Sequence, residues 1–473
     1  MTYSLLSGDD VYRMHVATME VLERVGVLVE NDEVLDLLAS AGVKVDKQKR
    51  RARIPEYLIK EACNKAPSSF DIYTRDLKKI RIGPGKTTIS FGAGATYVLD
   101  LKTGEPRPAT KNDVEQLTRL TDALEHIELC MSPIIQDVTR SLVDVHSAEA
   151  MMCNSTKPPW VCPGDARQAR YIIEMASAIA GGLSELQKNP IILGLASPNS
   201  PLRLAPNDLE VAKEFVSRKL PITFINCPNN GATSPISIAG TIVQTLAECL
   251  SMVLIAQLMS PGNPVAAGPS PPVTDMKTAT ACFGAPECAL VTAGSAQMMR
   301  YYNIPSYASI TSSDSIAIDA QTGYEIAWTA QLPMMAGINL VNGIGLIAFC
   351  EISSYEKVVI DNEVFGGLKR ILRGIEVSDA SLAIDAIEAV GPAGHYLSQK
   401  HTREQLTKER WFPKISNRMS IPEWKKERID LWQRARKEVM NILQTHQPKL
   451  LEREKRERIR EIVKEAERAV AKP

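Results

Sequence analysis

Short apolar runs recur along the middle of the chain and alternate with longer stretches whose apolar residues are spaced as in helices. Five of the eight runs begin with a proline, a residue tolerated at the first position of a strand. The intervening helical stretches include 111–124 (KNDVEQLTRLTDAL) and 241–258 (TIVQTLAECLSMVLIAQL). The runs predict strands at Thr88–Gly92, Ile127–Pro133, Pro158–Cys162, Pro190–Leu195, Pro221–Asn226, Pro264–Gly268, Pro305–Ile310 and Ile338–Gly343.

This alternation of strand and helix predicts an α/β protein built on a parallel sheet closed into a (β/α)8 TIM barrel. An open doubly wound sheet is the alternative. No predicted strand is followed by a GxGxxG turn, and eight units match closure. We expect an N-terminal α/β elaboration over residues 1–85, the barrel over 86–365 and a helical C-terminal extension over 366–473. The charged final stretch, 450–470, predicts an exposed helix or one that contacts another subunit.

The stretch 304–328 (IPSYASITSSDSIAIDAQTGYEIAW) predicts a buried strand, a polar loop and a helix that opens near Asp319. In a TIM barrel, function lies at the carboxyl ends of the strands and in the loops that follow them. The predicted strand ends carry amides, hydroxyls and a few acids, with almost no lysine or arginine. Such a mouth suits a neutral or cationic ligand better than a phosphate, although Asn and Ser at these positions are equally typical of helix caps and turns.

Composition narrows the class of protein further. The 55 basic and 55 acidic residues balance, which gives no electrostatic argument for nucleic acid or an anionic membrane. The start of the chain lacks the features of a signal peptide, and no uninterrupted apolar run reaches the ~18 residues of a membrane span. The nine cysteines show no CxxC spacing, and the six histidines form no zinc motif. We therefore expect reduced thiols, no metal site and a cytoplasmic protein.

Aromatic residues make up only 5% of the chain, yet several fall near predicted strand ends. Aromatic faces attract a quaternary ammonium ion by about 0.5–2 kcal/mol per ring. Phe91 and Tyr97, which flank the glycines of FGAGATY, are the pair that we expect at such a site. Burial in the core is the alternative for each ring.

Five stretches resemble the trimethylamine methyltransferase family of corrinoid-protein methyltransferases. They are 90–100 (SFGAGATYVLD), 313–325 (SDSIAIDAQTGYE), 353–363 (SSYEKVVIDNE), 374–402 and 410–418 (RWFPKISNR). The resemblance runs from about Thr88 to Leu431, and it implies the same barrel that the strand count predicts. It also implies transfer of an amine's methyl group to the Co(I) of a cobalamin-type corrinoid carried by a separate partner protein, with no cofactor held tightly by this chain.

The founding branch of that family uses pyrrolysine, whereas this sequence contains only the common residues. The resemblance therefore points to the branch that demethylates quaternary amines, as glycine betaine:corrinoid protein methyltransferase does. Carnitine, proline betaine and trimethylamine are the alternative substrates. A quaternary amine needs no general acid, because a neutral tertiary amine leaves when Co(I) attacks the methyl carbon.

We expect the catalytic group to be Asp314, Gln321 and Glu325, where the two acids favour a cation and the amide orients the substrate. The substrate-binding residues would be Phe91, Tyr97, Asn226, Ser313 and Tyr324, with Asn226, Ser313 and Gln321 available to hold a carboxylate. His395 and His401 either line the corrinoid docking surface or pin a glycine-rich turn. A barrel lyase or aldolase and a non-catalytic betaine-binding scaffold are the competing functions. A homo-oligomer is expected.

Overall fold

All eight predicted runs pair in parallel around a closed barrel in the computed structural model, which describes residues 3–471. The last strand pairs with the first, through Leu340 to Thr88 and Val341 to Ile89, which closes the ring. The second run, around Leu129 and Cys130, joins its neighbours through single bridges to Ser90 and Pro159. The other barrel strands are Thr88–Phe91, Trp160–Val161, Leu193–Ala196, Ile222–Asn226, Val265–Pro269, Tyr307–Ser309 and Leu340–Ile344. The (β/α)8 prediction is confirmed.

Helices follow the barrel strands and cover the outside of the sheet. Asp319 begins the helix after the seventh strand, as predicted, because its carboxylate accepts the amide protons of Gln321 and Thr322 at 2.9 and 3.2 Å. The covering helices are Lys111–Ala123, Val143–Asn154, Ala166–Ala180, Leu183–Lys188, Pro206–Val216, Ile238–Met259, Pro286–Tyr301, Ala320–Met335 and Tyr355–Leu372. The predicted boundary at residues 365/366 falls inside the last of these helices, so the division into segments stays a prediction.

The helix Ile238–Met259 is long and apolar enough to cross a membrane by length and composition alone. In the fold, 72% of its apolar window is buried inside the protein, and core helices of globular proteins pass the same test. It also carries the buried carboxylate Glu248, which accepts hydrogen bonds from Asn226 at 2.6 Å and Ser200 at 2.8 Å. These bonds connect the helix to the end of the fifth strand and to the loop after the fourth.

The N-terminal region packs its apolar side chains on this helix and on the helix Pro286–Tyr301. Its small sheet also takes Arg203–Leu204 from the barrel region, in parallel with Val27–Val29. Its elements are the helices Gly8–Glu20, Asp32–Ser40 and Glu56–Lys65, a π-helical turn Val21–Val25, and the strands Val27–Val29, Lys44–Asp46, Arg51–Arg53, Phe70–Tyr73 and Lys79–Ile82.

Two short sheets rise above the mouth of the barrel. One joins Tyr97–Leu99 to Ile352–Ser353, which links the loop after the first strand to the loop after the eighth. It is completed by Pro106–Pro108 and Leu346–Ile347. The other is the hairpin Val273–Thr274 with Ala281–Cys282, which follows the sixth strand.

The C-terminal extension is helical, as expected, but its last helix is not simply exposed. The helix Arg453–Ala471 buries Ile459, Ile462 and Ala466, because their spacing forms one apolar stripe that packs on the helices Val143–Asn154 and Ala166–Ala180. The other helices of the extension are Asp379–Leu382, Ile384–Val390, Lys400–Glu409, Ile421–Glu427 and Leu431–Thr445.

Candidate active site

A cavity of about 1220 Å³ opens at the carboxyl ends of the barrel strands. Its floor and walls come from residues at the strand ends, including Val161, Ser270, Ser309 and Asn342. Its upper wall comes from the loops after the first, second and eighth strands. This is the end of a TIM barrel at which chemistry is expected.

One wall of the cavity is aromatic. The rings of Trp160 and Tyr307 meet edge to face, with centroids 5.3 Å apart and planes at 87°. The Tyr307 hydroxyl donates to Asn342 Oδ1 at 2.7 Å, which fixes the ring on the cavity floor. Tyr97, Phe283 and Phe349 complete the aromatic lining. Rings around a concave site favour a cationic ligand.

The loop after the eighth strand holds one of these rings in a strained backbone. Ala348, Phe349 and Cys350 have consecutive φ angles of 50°, 56° and 67°, in the left-handed region that residues other than glycine rarely adopt. Such strain persists where the surrounding structure enforces it, often at functional sites. The strain therefore marks this loop as part of the site.

The charged residues of the lining are mostly acids: Asp144, Asp165 and Glu351. Burial, together with the charge of Asp165, raises the pKa of Asp144 to about 6. Arg140 is the one cation that lines the cavity among residues 3–471, and its guanidinium makes no hydrogen bond or ion pair within that range. A free guanidinium in this position can receive a carboxylate.

A hydrogen-bonded cluster lies beside the cavity and contains the three residues expected to be catalytic. Glu325, which is 5% exposed, accepts from Ser313 Oγ at 2.6 Å, the Asp314 amide at 2.8 Å and Gln321 Nε2 at 2.8 Å. A side chain at Gly284 would collide with Glu325, because an added Cβ would lie 2.4 Å from its Cδ. The cluster is compact, yet none of its residues lines the cavity.

Asp314 connects this cluster to the cavity wall. Its two carboxylate oxygens accept the backbone amides of Phe283 at 2.7 Å and Gly284 at 3.0 Å. Trp328 Nε1 donates to the Gly284 carbonyl at 2.6 Å and holds the same loop. The cluster therefore positions the Phe283 ring and does not itself face a ligand.

The residues expected to bind substrate are placed differently. Tyr97 lines the cavity and is 41% exposed. Phe91 does not line the cavity and packs in the hydrophobic core below the mouth, and Asn226 is fully buried against Glu248. The Tyr324 ring packs against Trp328 on the outer face of its helix, with ring centroids 4.8 Å apart and planes tilted by 38°. Ser313 is fully buried against Glu325 and does not line the cavity. These placements correct the expectation that Phe91, Asn226, Ser313 and Tyr324 face the ligand.

The structure also adds residues that the strand-end argument did not select. Arg140 and Asp144 lie on a helical segment that begins ten residues beyond the second strand. A search limited to the ends of predicted strands does not reach them. His395 and His401 lie in the C-terminal extension and do not line the cavity; His401 Nε2 contacts the Ala380 carbonyl at 3.2 Å. Within residues 3–471 no cluster of three or more His, Cys, Asp or Glu is arranged to hold a metal.

We expect Asp314→Asn to change how stability depends on pH. Burial, and then the Glu325 charge, raise the pKa of Asp314 from 3.8 to about 6. Between these values the folded protein holds a proton that the unfolded chain has lost, so this group makes stability fall as pH rises. Asparagine does not titrate, so the variant does not lose stability in this way. The difference in free energy of unfolding, variant minus wild type, should therefore rise from pH 4 to pH 6.

Urea unfolding at pH 4, 5, 6 and 7 measures this difference, with the exposed Asp9→Asn as control. A difference between Asp314→Asn and wild type that stays constant over this range would contradict the assigned burial of the charge.

Comparisons with known proteins identify methyltransferases that act on methylated amines as relatives of this chain. The family described as trimethylamine methyltransferase (MTTB) matches residues 1–471. A trimethylamine methyltransferase, MttB, of Desulfitobacterium hafniense is 33% identical over 465 residues, covering 98% of this chain and 93% of the relative. A glycine betaine methyltransferase of the same species is 29% identical over 456 residues, covering 96% and 95%.

Among solved structures, the monomethylamine methyltransferase MtmB of Methanosarcina barkeri superposes with a TM-score of 0.54. The match covers 93% of this chain and 89% of MtmB at 14% sequence identity. At that identity the likeness concerns the fold alone.

Proposed function

Because this chain belongs to the trimethylamine methyltransferase family and is a methyltransferase, we propose that it demethylates a quaternary amine that carries a carboxylate. Glycine betaine is the first candidate. The methyl acceptor is the Co(I) of a corrinoid on a separate protein, which acts as a substrate of this enzyme. Support for betaine comes from the relative named for it, and from the chemistry of the cavity.

The observation that carries the proposal is the lining of the cavity. Aromatic rings and acids suit a quaternary ammonium ion. The positive charge of this ion is spread over its methyl groups, and the ion has no N–H group that could donate a hydrogen bond. The unpaired guanidinium of Arg140 suits the carboxylate at the other end of the same small molecule. A ligand with both ends uses both parts of the lining.

The chemistry of methyl transfer fits a site without a general acid. The methyl carbon forms a bond with Co(I), the C–N bond breaks, and its electron pair stays on nitrogen. From glycine betaine the product is dimethylglycine, whose amine is neutral as it leaves. The enzyme's task is to hold the methyl group in line with its acceptor and keep competing water out.

The size of the cavity leaves room for the acceptor. At about 1220 Å³ it exceeds the ~300–1,000 Å³ typical of small-molecule pockets. Tyr97 and Ile134, 41% and 44% exposed, give its rim an apolar character. The face of a corrinoid on a docked partner protein would fit against this rim while the amine occupies the floor.

Within this site we assign roles by position. Trp160, Tyr307 and Phe349 form the wall for the ammonium group, and Arg140 holds the carboxylate. Asp314 and Glu325 are positioning residues, because they hold the Phe283 loop and not the ligand.

The variant Arg140→Gln tests the assignment of the carboxylate. It should weaken glycine betaine binding roughly 10- to 100-fold, because a hydrogen bond to a charged group contributes about 1.5–3 kcal/mol. Tetramethylammonium, which has the same cationic end without the carboxylate, should bind as it does to the wild type. Isothermal titration of both ligands measures the difference.

Arg140→Lys is the matched control, since it keeps the charge but loses the bidentate geometry. Its affinity for glycine betaine should lie between those of the wild type and Arg140→Gln. Equal weakening of both ligands would show that Arg140 shapes the cavity generally. Unchanged betaine binding would remove Arg140 from the site.

A further inference from the structure

The C-terminal extension contains a long segment without a core of its own. Throughout residues 374–410, no side chain is buried. Ile375 is 90% exposed, Val377 75% and Ile384 65%. Several large apolar side chains exposed within one short segment favour a site of interaction with another molecule. We call residues 375–390 the acidic arm.

The charge of the acidic arm is uniform. Glu376, Asp379, Asp385 and Glu388 are its only ionisable side chains, so it carries four negative charges and no positive one. Apolar residues alternate with these acids along its two short helices, Asp379–Leu382 and Ile384–Val390. A matching partner surface would be apolar and basic.

A cavity with those properties lies at the opposite end of the barrel from the candidate active site. This basal cavity of about 570 Å³ is lined by residues near the amino ends of the first and eighth strands, such as Thr87 and Ile338. Its apolar lining includes Ile304, Met334 and Leu372. Its charged lining, within the described residues 3–471, consists of cations only: Lys86, Arg300, Lys369 and Arg373.

The positive charge of the basal cavity is largely uncompensated. Arg300 donates to the Ala336 carbonyl at 2.6 Å and Arg373 donates to the Lys408 carbonyl, but carbonyl groups are neutral. Lys369 is the one paired with an acid, Glu128, at 3.0 Å. Three of the four cations therefore keep their net charge.

We infer that the acidic arm of one copy of this chain docks in the basal cavity of a second copy. Charge and apolar character are complementary, and no residue of the arm lines its own basal cavity. Arg373, the last lining residue, lies two residues before the arm, so the arm starts beside the cavity. A two-fold axis beside this cavity lets each arm reach the other copy's cavity.

The location favours a second copy over the corrinoid protein as the occupant. The corrinoid protein must approach the candidate active site, which lies at the carboxyl ends of the strands, whereas the basal cavity lies at their amino ends. Arm exchange leaves the mouth of each barrel free. The inference does not depend on which amine is the substrate.

Complementing variants test this inference in the full-length chain. The cavity variant is Lys86→Glu/Arg300→Glu, and the arm variant is Asp385→Lys/Glu388→Lys. Sedimentation velocity should show a wild-type dimer, and at least tenfold weaker self-association of each variant alone. In an equimolar mixture, the unaltered arm of the cavity variant meets the unaltered cavity of the arm variant, so association should return.

Native mass spectrometry of the mixture, with one variant labelled with ¹⁵N, should show the mixed dimer in excess over either homodimer. Ile384→Asp/Ile387→Asp serves as a second arm variant that should also weaken the dimer, because both side chains are exposed and folding does not need them. Thermal melting checks that each variant is folded.

Three results would overturn the inference. One is a wild-type monomer at micromolar concentration, including one that associates only when the corrinoid protein is added. Another is a dimer whose affinity is the same in every variant. The third is weakened association of both variants with no recovery in the mixture, which would indicate an arm that acts within its own chain.

Discussion

Replacing Lys357 by methionine is expected to lower the free energy of unfolding by about 3–5 kcal/mol. Lys357 and Asp361 are both fully buried, with Nζ 2.7 Å from Oδ2. Lys357 also donates to the Thr311 carbonyl at 2.8 Å, and Asp361 accepts the Gly345 amide at 2.8 Å. The variant leaves the Asp361 carboxyl in the interior without its partner, where burial raises its pKa, while methionine fills most of the lysine's volume.

This ion pair joins the ends of the seventh and eighth strands, so its loss should also loosen the mouth of the barrel. The control is Lys357→Met/Asp361→Asn, which removes both charges and keeps an acceptor for the Gly345 amide. Chemical denaturation should show the double variant more stable than Lys357→Met alone. If Lys357→Met costs less than 1 kcal/mol, the pair is not buried as described.

Replacing Glu325 by alanine should reduce kcat/KM about 100-fold and destabilise the fold by about 3 kcal/mol. The carboxylate satisfies three donors, from Ser313, Asp314 and Gln321, and alanine leaves those that are buried without a partner. Release of Asp314 frees the loop that holds Phe283 on the cavity wall. Misplacement of a positioning group by about 1 Å can cost 100-fold in rate.

Gln321→Ala is the matched control because it removes only one of the three donors from the edge of the cluster, and it should cost little. Steady-state kinetics of both variants, with calorimetric binding of the amine, separates positioning from a direct role. A loss of kcat with unchanged amine affinity would indicate that Glu325 acts on the reacting groups and contradict its assignment as a positioning residue.

The fold could be predicted from the sequence because each barrel strand is a short apolar run of the kind that parallel sheets require. Ile222–Asn226 and Leu340–Ile344 are buried along their whole length. Because these strands are buried along their whole length, the sequence does not show in which direction each side chain points. With no alternation of polar and apolar positions, nothing in the sequence distinguishes a residue that faces the mouth from one that faces the core.

Phe91 and Asn226 illustrate this limit. Both end a strand, as active-site residues of barrels often do, yet Phe91 packs in the core and Asn226 donates a hydrogen bond to Glu248, 22 residues later on the next helix. Asp314, Gln321 and Glu325 could be grouped because they are close in sequence, on one loop and the helix that it opens. Nothing in the sequence shows that this group lies beside the cavity and does not line it. Arg140 and Asp144 enter the cavity from the helical side of the second unit, and only the folded chain brings them to the strand ends.

The most direct test of the proposed function is the spectrum of a reduced, Co(I)-loaded cognate corrinoid protein mixed with this enzyme and one amine at a time. The panel is glycine betaine, carnitine, proline betaine and trimethylamine. The account predicts loss of the Co(I) band with a carboxylate-bearing quaternary amine and no response to trimethylamine. A response to trimethylamine alone, or silence with every amine, would contradict it.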